Sequence, residues 1–128
     1  VTEYELHLQI IDFLQARLPA GSVIHHSPNE GNHRVQYRMK QKRMGVRAGW
    51  PDLEIFVSKT WWRPGQPWSP IFIEIKTKTG RLSGNQRQVQ QELMAAGCHV
   101  ATVKSVEDVE VFIDTILENQ SGQQSIRN

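Results

Sequence analysis

The chain has 128 residues, of which 38% are hydrophobic and 22% charged, and its formal net charge is +2. That describes one ordinary soluble domain with enough chain for its own core, and no apolar run reaches the length of a membrane span. The start, Val1-Thr2-Glu3-Tyr4-Glu5, lacks the basic and apolar blocks of a signal peptide, and the single cysteine, Cys98, excludes an internal disulfide and cysteine-based zinc sites, so a reducing cytoplasm is expected.

Residues 3–18 predict an amphipathic helix, with Leu6, Ile10, Phe13, Leu14 and Leu18 at helical spacing and Pro19 as its stop. Ser22 to His26 is a short strand, and Pro28 to Asn32 has turn chemistry. Residues 34–44 predict a basic helix with Val35, Met39 and Met44 turned inward and Gly45 as its stop. A strand follows from Asp52 to Val57, with Leu53, Ile55 and Val57 on one face and Asp52, Glu54 and Phe56 on the other. Lys59 to Pro70 is a long loop containing Trp61, Trp62 and Trp68. Ile71 to Thr77 is the clearest strand, being rich in β-branched residues. Ser83 and Gln86 have the spacing of a capping box for a helix that Gly97 ends. His99 to Val103 is a strand, and Ser105 opens a last helix through about Glu118 with Val109, Phe112, Ile113 and Ile116 inward. The order predicts one α/β domain over residues 1–118, a mixed central sheet flanked by helices, followed by a polar, disordered tail at 119–128.

Charge is segregated along the chain. Residues 31–91 hold twelve Lys or Arg against only Asp52, Glu54 and Glu74. Within that block Arg34, Arg38, Lys40, Lys42, Arg43 and Arg47 have no acid among them, and Lys78 and Arg81 add to it further on. Such a stretch has the electrostatics to neutralise phosphates, which points to a nucleic acid as the partner. A solvated helix face is the other reading, but it would normally carry intrahelical acid partners. Trp61, Trp62 and Trp68 suit either stacking on unpaired bases or contact with a second subunit, and the loop that holds them is expected to pack across a two-fold axis. The histidines do not suggest a zinc site: His25 and His26 would face opposite sides of a strand, and His7, His33 and His99 are scattered.

The chemistry centres on Asp52 and on Ile73-Glu74-Ile75-Lys76. Alternation puts Glu74 and Lys76 on one face of a strand whose other face is Ile71, Ile73 and Ile75. If the two strands are neighbours, Asp52 and Glu74 converge. Two carboxylates and a lysine suit phosphodiester hydrolysis, because the carboxylates bind a hard ion such as Mg2+ and the lysine stabilises developing charge. A solvent-facing Glu–Lys pair on an antiparallel sheet fits the alternation as well.

Gly45-Val46-Arg47-Ala48-Gly49-Trp50-Pro51-Asp52-Leu53, then Ile73-Glu74-Ile75-Lys76, then Gly80-Arg81-Leu82-Ser83-Gly84-Asn85-Gln86 resembles the VRR-Nuc family of the PD-(D/E)xK nuclease superfamily. The resemblance extends from about Glu3 to Ile113. It implies a restriction-endonuclease-like core and a Mg2+- or Mn2+-dependent endodeoxyribonuclease, a hydrolase of phosphodiester bonds. Asp52 and Glu74 become the metal-binding carboxylates, Ile75 adds its backbone carbonyl, Lys76 is the catalytic lysine, and Gln86 reaches the site from the following helix. Glu3 matches an auxiliary acid on the first helix, although His7 stands where a glutamine often follows, which leaves Glu5 as the competing position. Asn29 and Glu30 fall in a Pro-Asn segment that approaches the site. Standalone members are similar to Holliday junction resolvases, so branched DNA and a homodimer are implied, in a bacterial or phage-infected host cytosol. The rival from another class is a noncatalytic nucleic-acid-binding module that keeps the basic block and uses Asp52 and Glu74 structurally.

Overall fold

The computed structural model describes residues 1–28 and 34–127, with side chains through residue 116. Asn29, Glu30 and His33 lie outside the described residues. In chain order the elements are α1 (Glu3–Arg17), β1 (Val23–His26), α2 (Val35–Arg43), β2 (Leu53–Phe56), a 3-10 turn (Lys59–Trp61), β3 (Ile71–Ile75), α3 (Gly84–Ala95), β4 (His99–Val103) and α4 (Val106–Arg127).

Local chemistry accounts for the ends of these elements. Thr2 and Glu5 form a reciprocal capping box at the start of α1, and Ser83 and Gln86 do the same for α3. At the end of α2, Gly45 takes φ +101°. Its N–H bonds to the Lys42 carbonyl, and the Val46 N–H bonds to that of Gln41, at 3.0 and 2.9 Å. That pattern is a Schellman stop, which requires a residue at ease with positive φ. Ser105 accepts from the Asp108 N–H at 3.1 Å and starts α4.

Among the described residues the strands form one sheet in the order β1-β2-β3-β4. The β1–β2 and β2–β3 pairs are antiparallel, and β3–β4 is parallel with α3 as the crossover. This is the mixed sheet expected from the element order. Leu53, Ile55, Ile71, Ile73, Ile75 and Val103 pack with Leu6, Ile10 and Leu14 of α1 and with Val109, Ile113 and Ile116 of α4. Burying each such side chain contributes roughly 1.5–3 kcal/mol. Helix α3 lies against the opposite face, with Val89 buried and Gln90 bonded to Thr102. Strand β3 is therefore covered on both sides, and all five of its residues are buried.

Three expectations change. No residue of α2 is buried: Val35, Met39 and Met44 are 60%, 65% and 80% exposed rather than turned inward. A face with so few apolar groups cannot offset the cost of desolvating the cations beside them. Helix α4 runs to Arg127, beyond the end near Glu118 expected from its apolar spacing. Gly122 is the only strong helix breaker in that stretch, and its glutamines are good helix formers.

The third change concerns the tryptophans. Trp62 is buried in this chain's own core, its ring 5.9 Å from that of His99, and its indole N–H donates to the Val57 carbonyl at 3.3 Å. Trp61 packs edge-on against it, and Trp68 stacks on Phe56 and donates to the same Val57 carbonyl at 3.1 Å. The loop folds back on its own domain, so its apolar rings have partners within the chain and do not call for a second subunit.

Candidate active site

The antiparallel register of β2 on β3 pairs Leu53 with Ile73, which puts Asp52 beside Glu74 at one end of the sheet. The two residues hold each other. The Asp52 backbone N–H donates to Glu74 Oε2 at 3.2 Å, and the Ile75 N–H donates to Asp52 Oδ2 at 2.7 Å. From β1, the His26 imidazole Nδ1–H and the Ser27 backbone N–H both donate to the Asp52 carbonyl at 2.9 Å. The end of β1 thus fixes the chain at Asp52.

Gln86 carries out both of the tasks its position suggested. Its Oε1 accepts from the Ser83 N–H at 2.8 Å and completes the helix cap, while its Nε2 donates to Glu74 Oε1 at 2.6 Å. Capping fixes which end of the amide faces the site. Lys76 Nζ stands 3.8 Å from the same Glu74 oxygen, with 18% of the lysine side chain exposed. The Glu–Lys pair is therefore not solvent-facing, since Glu74 is only 3% exposed.

Burial, and then the neighbouring Asp52 carboxylate, push the Glu74 carboxyl up to about 8, with Lys76 acting in the opposite direction. Two carboxylates facing each other in a half-dry site need a cation to ionise together. Oxygen donors of this kind fit a hard divalent ion such as Mg2+ or Mn2+. Among the described residues no three His, Cys, Asp or Glu side chains form a metal-holding group, so Glu3 does not complete such a set with Asp52 and Glu74. A Mg2+ ion commonly fills its remaining positions with water and phosphate oxygens. Glu5 is occupied at the α1 cap, where it accepts from the Thr2 N–H at 3.3 Å.

Sequence reasoning did not place His7 and His26 here. Their rings meet edge to face at 4.6 Å. Burial and His26 lower the His7 pKa, whereas Asp52 and Glu3 raise it, which puts His7 within the electrostatic reach of both acids. Only the β1–β2 register, His26 against Leu53, reveals this neighbourhood. Gly49, in the loop before β2, has φ +84°, and a Cβ there would lie 2.6 Å from backbone atoms of Asn85 and Gln86. That close approach binds the Gly45–Trp50 loop to the start of α3.

The expected cations are distributed more widely than the carboxylates. Arg34 stands at the start of α2, and Arg38, Lys40, Lys42 and Arg43 lie along it, all of them exposed. Arg47 pairs with Glu92 at 2.8 Å. The backbone carbonyl of Lys78 accepts from Lys104 Nζ at 3.2 Å, and Arg81 is exposed just before α3. Among the described residues no helix is long and apolar enough to cross a membrane.

Two carboxylates and a lysine at the end of a mixed sheet, with an α3 glutamine locked onto one of them, define a nuclease-like α/β core. The VRR-NUC domain model matches residues 3–107, and the chain belongs to that family of nuclease-like domains. A solved structure described as a VRR_NUC domain protein is similar, at 25% identity and a TM-score of 0.66, over 90% of this chain and 87% of that one. A second, described as a VRR_NUC domain, shares the fold at 17% identity and a TM-score of 0.59, over 89% of this chain and 97% of that one. A search of curated proteins found no match.

Proposed function

We propose that the chain is a metal-dependent endonuclease that hydrolyses phosphodiester bonds in DNA and prefers branched substrates such as four-way junctions. The observation that carries this reading is the convergence of Asp52, Glu74 and Lys76, with Gln86 Nε2 fixed 2.6 Å from Glu74. Asp52 and Glu74 would hold Mg2+ or Mn2+, with the Ile75 backbone carbonyl as a third donor. The bound ion would supply Lewis acidity and a nucleophile at neutral pH. Lys76 places a positive charge beside the carboxylates, where it orients the attacking water and stabilises charge that develops on the phosphate. Gln86 holds one Glu74 oxygen, which leaves the carboxylate with a single orientation toward the ion. The cations from Arg34 to Arg47, with Lys78 and Arg81, would engage the DNA backbone.

A four-way junction has two-fold symmetry, and a homodimer would set two sites on opposed strands. Trp62 belongs to this chain's own core and so does not itself need a partner, whereas Trp68 in the same loop stays 45% exposed. Light scattering with and without a junction measures this assembly. A cleavage panel of four-way, flap and linear DNA with Mg2+ or Mn2+ tests the chemistry. Metal-dependent incision that favours the junction is expected, and Asp52→Asn should bind DNA but not cut it. Failure to cut any substrate with either ion, or wild-type turnover by Asp52→Asn, would overturn the proposal.

A further inference from the structure

A cleft of about 800 Å3 opens between α2, the Gly45–Trp50 loop and α3. That size lies within the ~300–1,000 Å3 typical of sites that enclose small ligands. Its position ties it to the candidate active site. Ser27 and Asn85 both line it, and they adjoin the groups that hold Asp52 and Glu74: Ser27 through its N–H on the Asp52 carbonyl, Asn85 as the residue before Gln86.

The walls have two characters. Val46 and Trp50 supply apolar surface, whereas Arg38 and Lys42 supply positive charge and Arg47 is held by Glu92 at 2.8 Å. Among the described residues no carboxylate lines the cleft, and neither Arg38 nor Lys42 has an ion-pair partner. The Trp50 ring is braced edge-on by Phe72 of β3, with centroids 5.5 Å apart, so it is fixed before any ligand arrives. A continuous duplex offers only phosphates and groove edges to such a surface, since its base faces are stacked inside. An unpaired strand offers both a flat apolar base and a phosphate, which match the apolar walls and the cations.

We infer that this cleft seats an unpaired nucleotide of a DNA strand next to the phosphate to be cut, so that the enzyme selects DNA with a single-stranded or splayed segment at the cleavage point. The base lies against Trp50 and Val46, and Arg38 and Lys42 meet its flanking phosphates. The inference rests on the nuclease reading of Asp52 and Glu74, and it adds the requirement for an unpaired strand.

The test compares binding and cutting. Fluorescence anisotropy without divalent metal would be measured with a short labelled oligothymidylate and with a closed hairpin duplex. Val46→Trp narrows the cleft where the base would lie beside Trp50, without changing charge at a half-exposed position, and Arg38→Gln with Lys42→Gln removes charge on exposed α2. Val46→Trp should weaken oligothymidylate binding about tenfold, as loss of a base–aromatic contact does, and leave hairpin binding within about twofold. The Arg38–Lys42 double variant should weaken both and flatten the salt dependence. In the cleavage assay Val46→Trp should lose its preference for flap over linear duplex. Unchanged oligothymidylate binding in Val46→Trp, with thermal unfolding unaltered, overturns the cleft assignment, as does an equal loss on both probes. If wild type binds the oligothymidylate through the cleft but cuts nothing with Mg2+ or Mn2+, the nuclease reading fails and the cleft stands as a single-strand site.

Discussion

Glu74 is held almost out of water with Asp52 beside it, and its proton is the main price of that placement. Its carboxyl is pushed up to about 8 in the fold from an ordinary value of 4.5. Between those values the folded chain binds a proton that the unfolded chain releases. Stability of the metal-free protein from this group is therefore fully present below about pH 4.5 and is lost as pH rises toward 8. Calorimetry in a chelator should show Tm falling over that window, and Glu74→Gln should remove the fall. Adding Mg2+ should raise the wild-type Tm more at pH 8 than at pH 6, because binding favours the ionised pair. A wild-type Tm that rises with pH in chelator would contradict the burial and repulsion argued for Glu74. Gln86 permits a separate experiment, since its two ends have separate tasks. Gln86→Glu keeps the cap acceptor but puts a like charge against Glu74, so its helix start should persist while cutting is lost. Gln86→Ala removes both tasks and should cost about 1 kcal/mol of stability as well. Denaturant unfolding alongside a cleavage assay separates the two variants.

Helix α3 and the loop before β2 work as a pair, and Gly49 is their point of contact. Its positive φ disfavours any side chain, and a Cβ would press on the backbone where α3 begins. Gly49→Ala should destabilise the fold by about 2 kcal/mol or more, partly from strain and partly from displacing the helix start. Because Gln86 travels with that start, activity should fall further than stability explains. Normal turnover in a variant with lowered Tm would show that the helix start and the carboxylates are less tightly linked than the hydrogen bonds indicate. Helix α2 behaves differently. It buries no residue, so Met39→Ser should change stability by no more than about 0.5 kcal/mol. Its place in the protein is argued from charge alone, and a substrate assay would reveal what a melting curve does not.

At the scale of the molecule, one apolar face of the sheet is closed by α1 and α4, and Trp62 seals its edge beside β4. Trp62→Ser should cost roughly 3–5 kcal/mol, the range for removing a large buried aromatic. Trp68→Ser, at a ring 45% exposed, should cost much less. If Trp62→Ser instead yields a folded monomer with wild-type Tm from a wild-type dimer, the tryptophans do form a subunit contact and their burial in the core is wrong. The sheet's opposite face meets α3 and the Trp50 loop, and the candidate site lies where β2 starts and β3 ends. Placing the site at strand ends leaves the sheet face covered by α1 and α4 wholly apolar.

Strand alternation by itself separated Ile71, Ile73 and Ile75 from Glu74 and Lys76, and helical spacing by itself found the faces of α1 and α4, because both patterns are local and repeat every few residues. Ser83 with Gln86 and Gly45 after α2 were equally legible, since caps and stops depend on neighbours in the chain. The convergence of Asp52 with Glu74 was conditional on two strands being partners, and only the β2–β3 register satisfied that condition. His26 beside the Asp52 carbonyl, the dual bonding of Gln86 and the approach of Gly49 to α3 all join residues far apart in sequence. Composition misjudged Trp62 and the inward face of α2 for the same reason: whether an apolar side chain finds a core depends on what the rest of the fold places opposite it, and periodicity does not encode that.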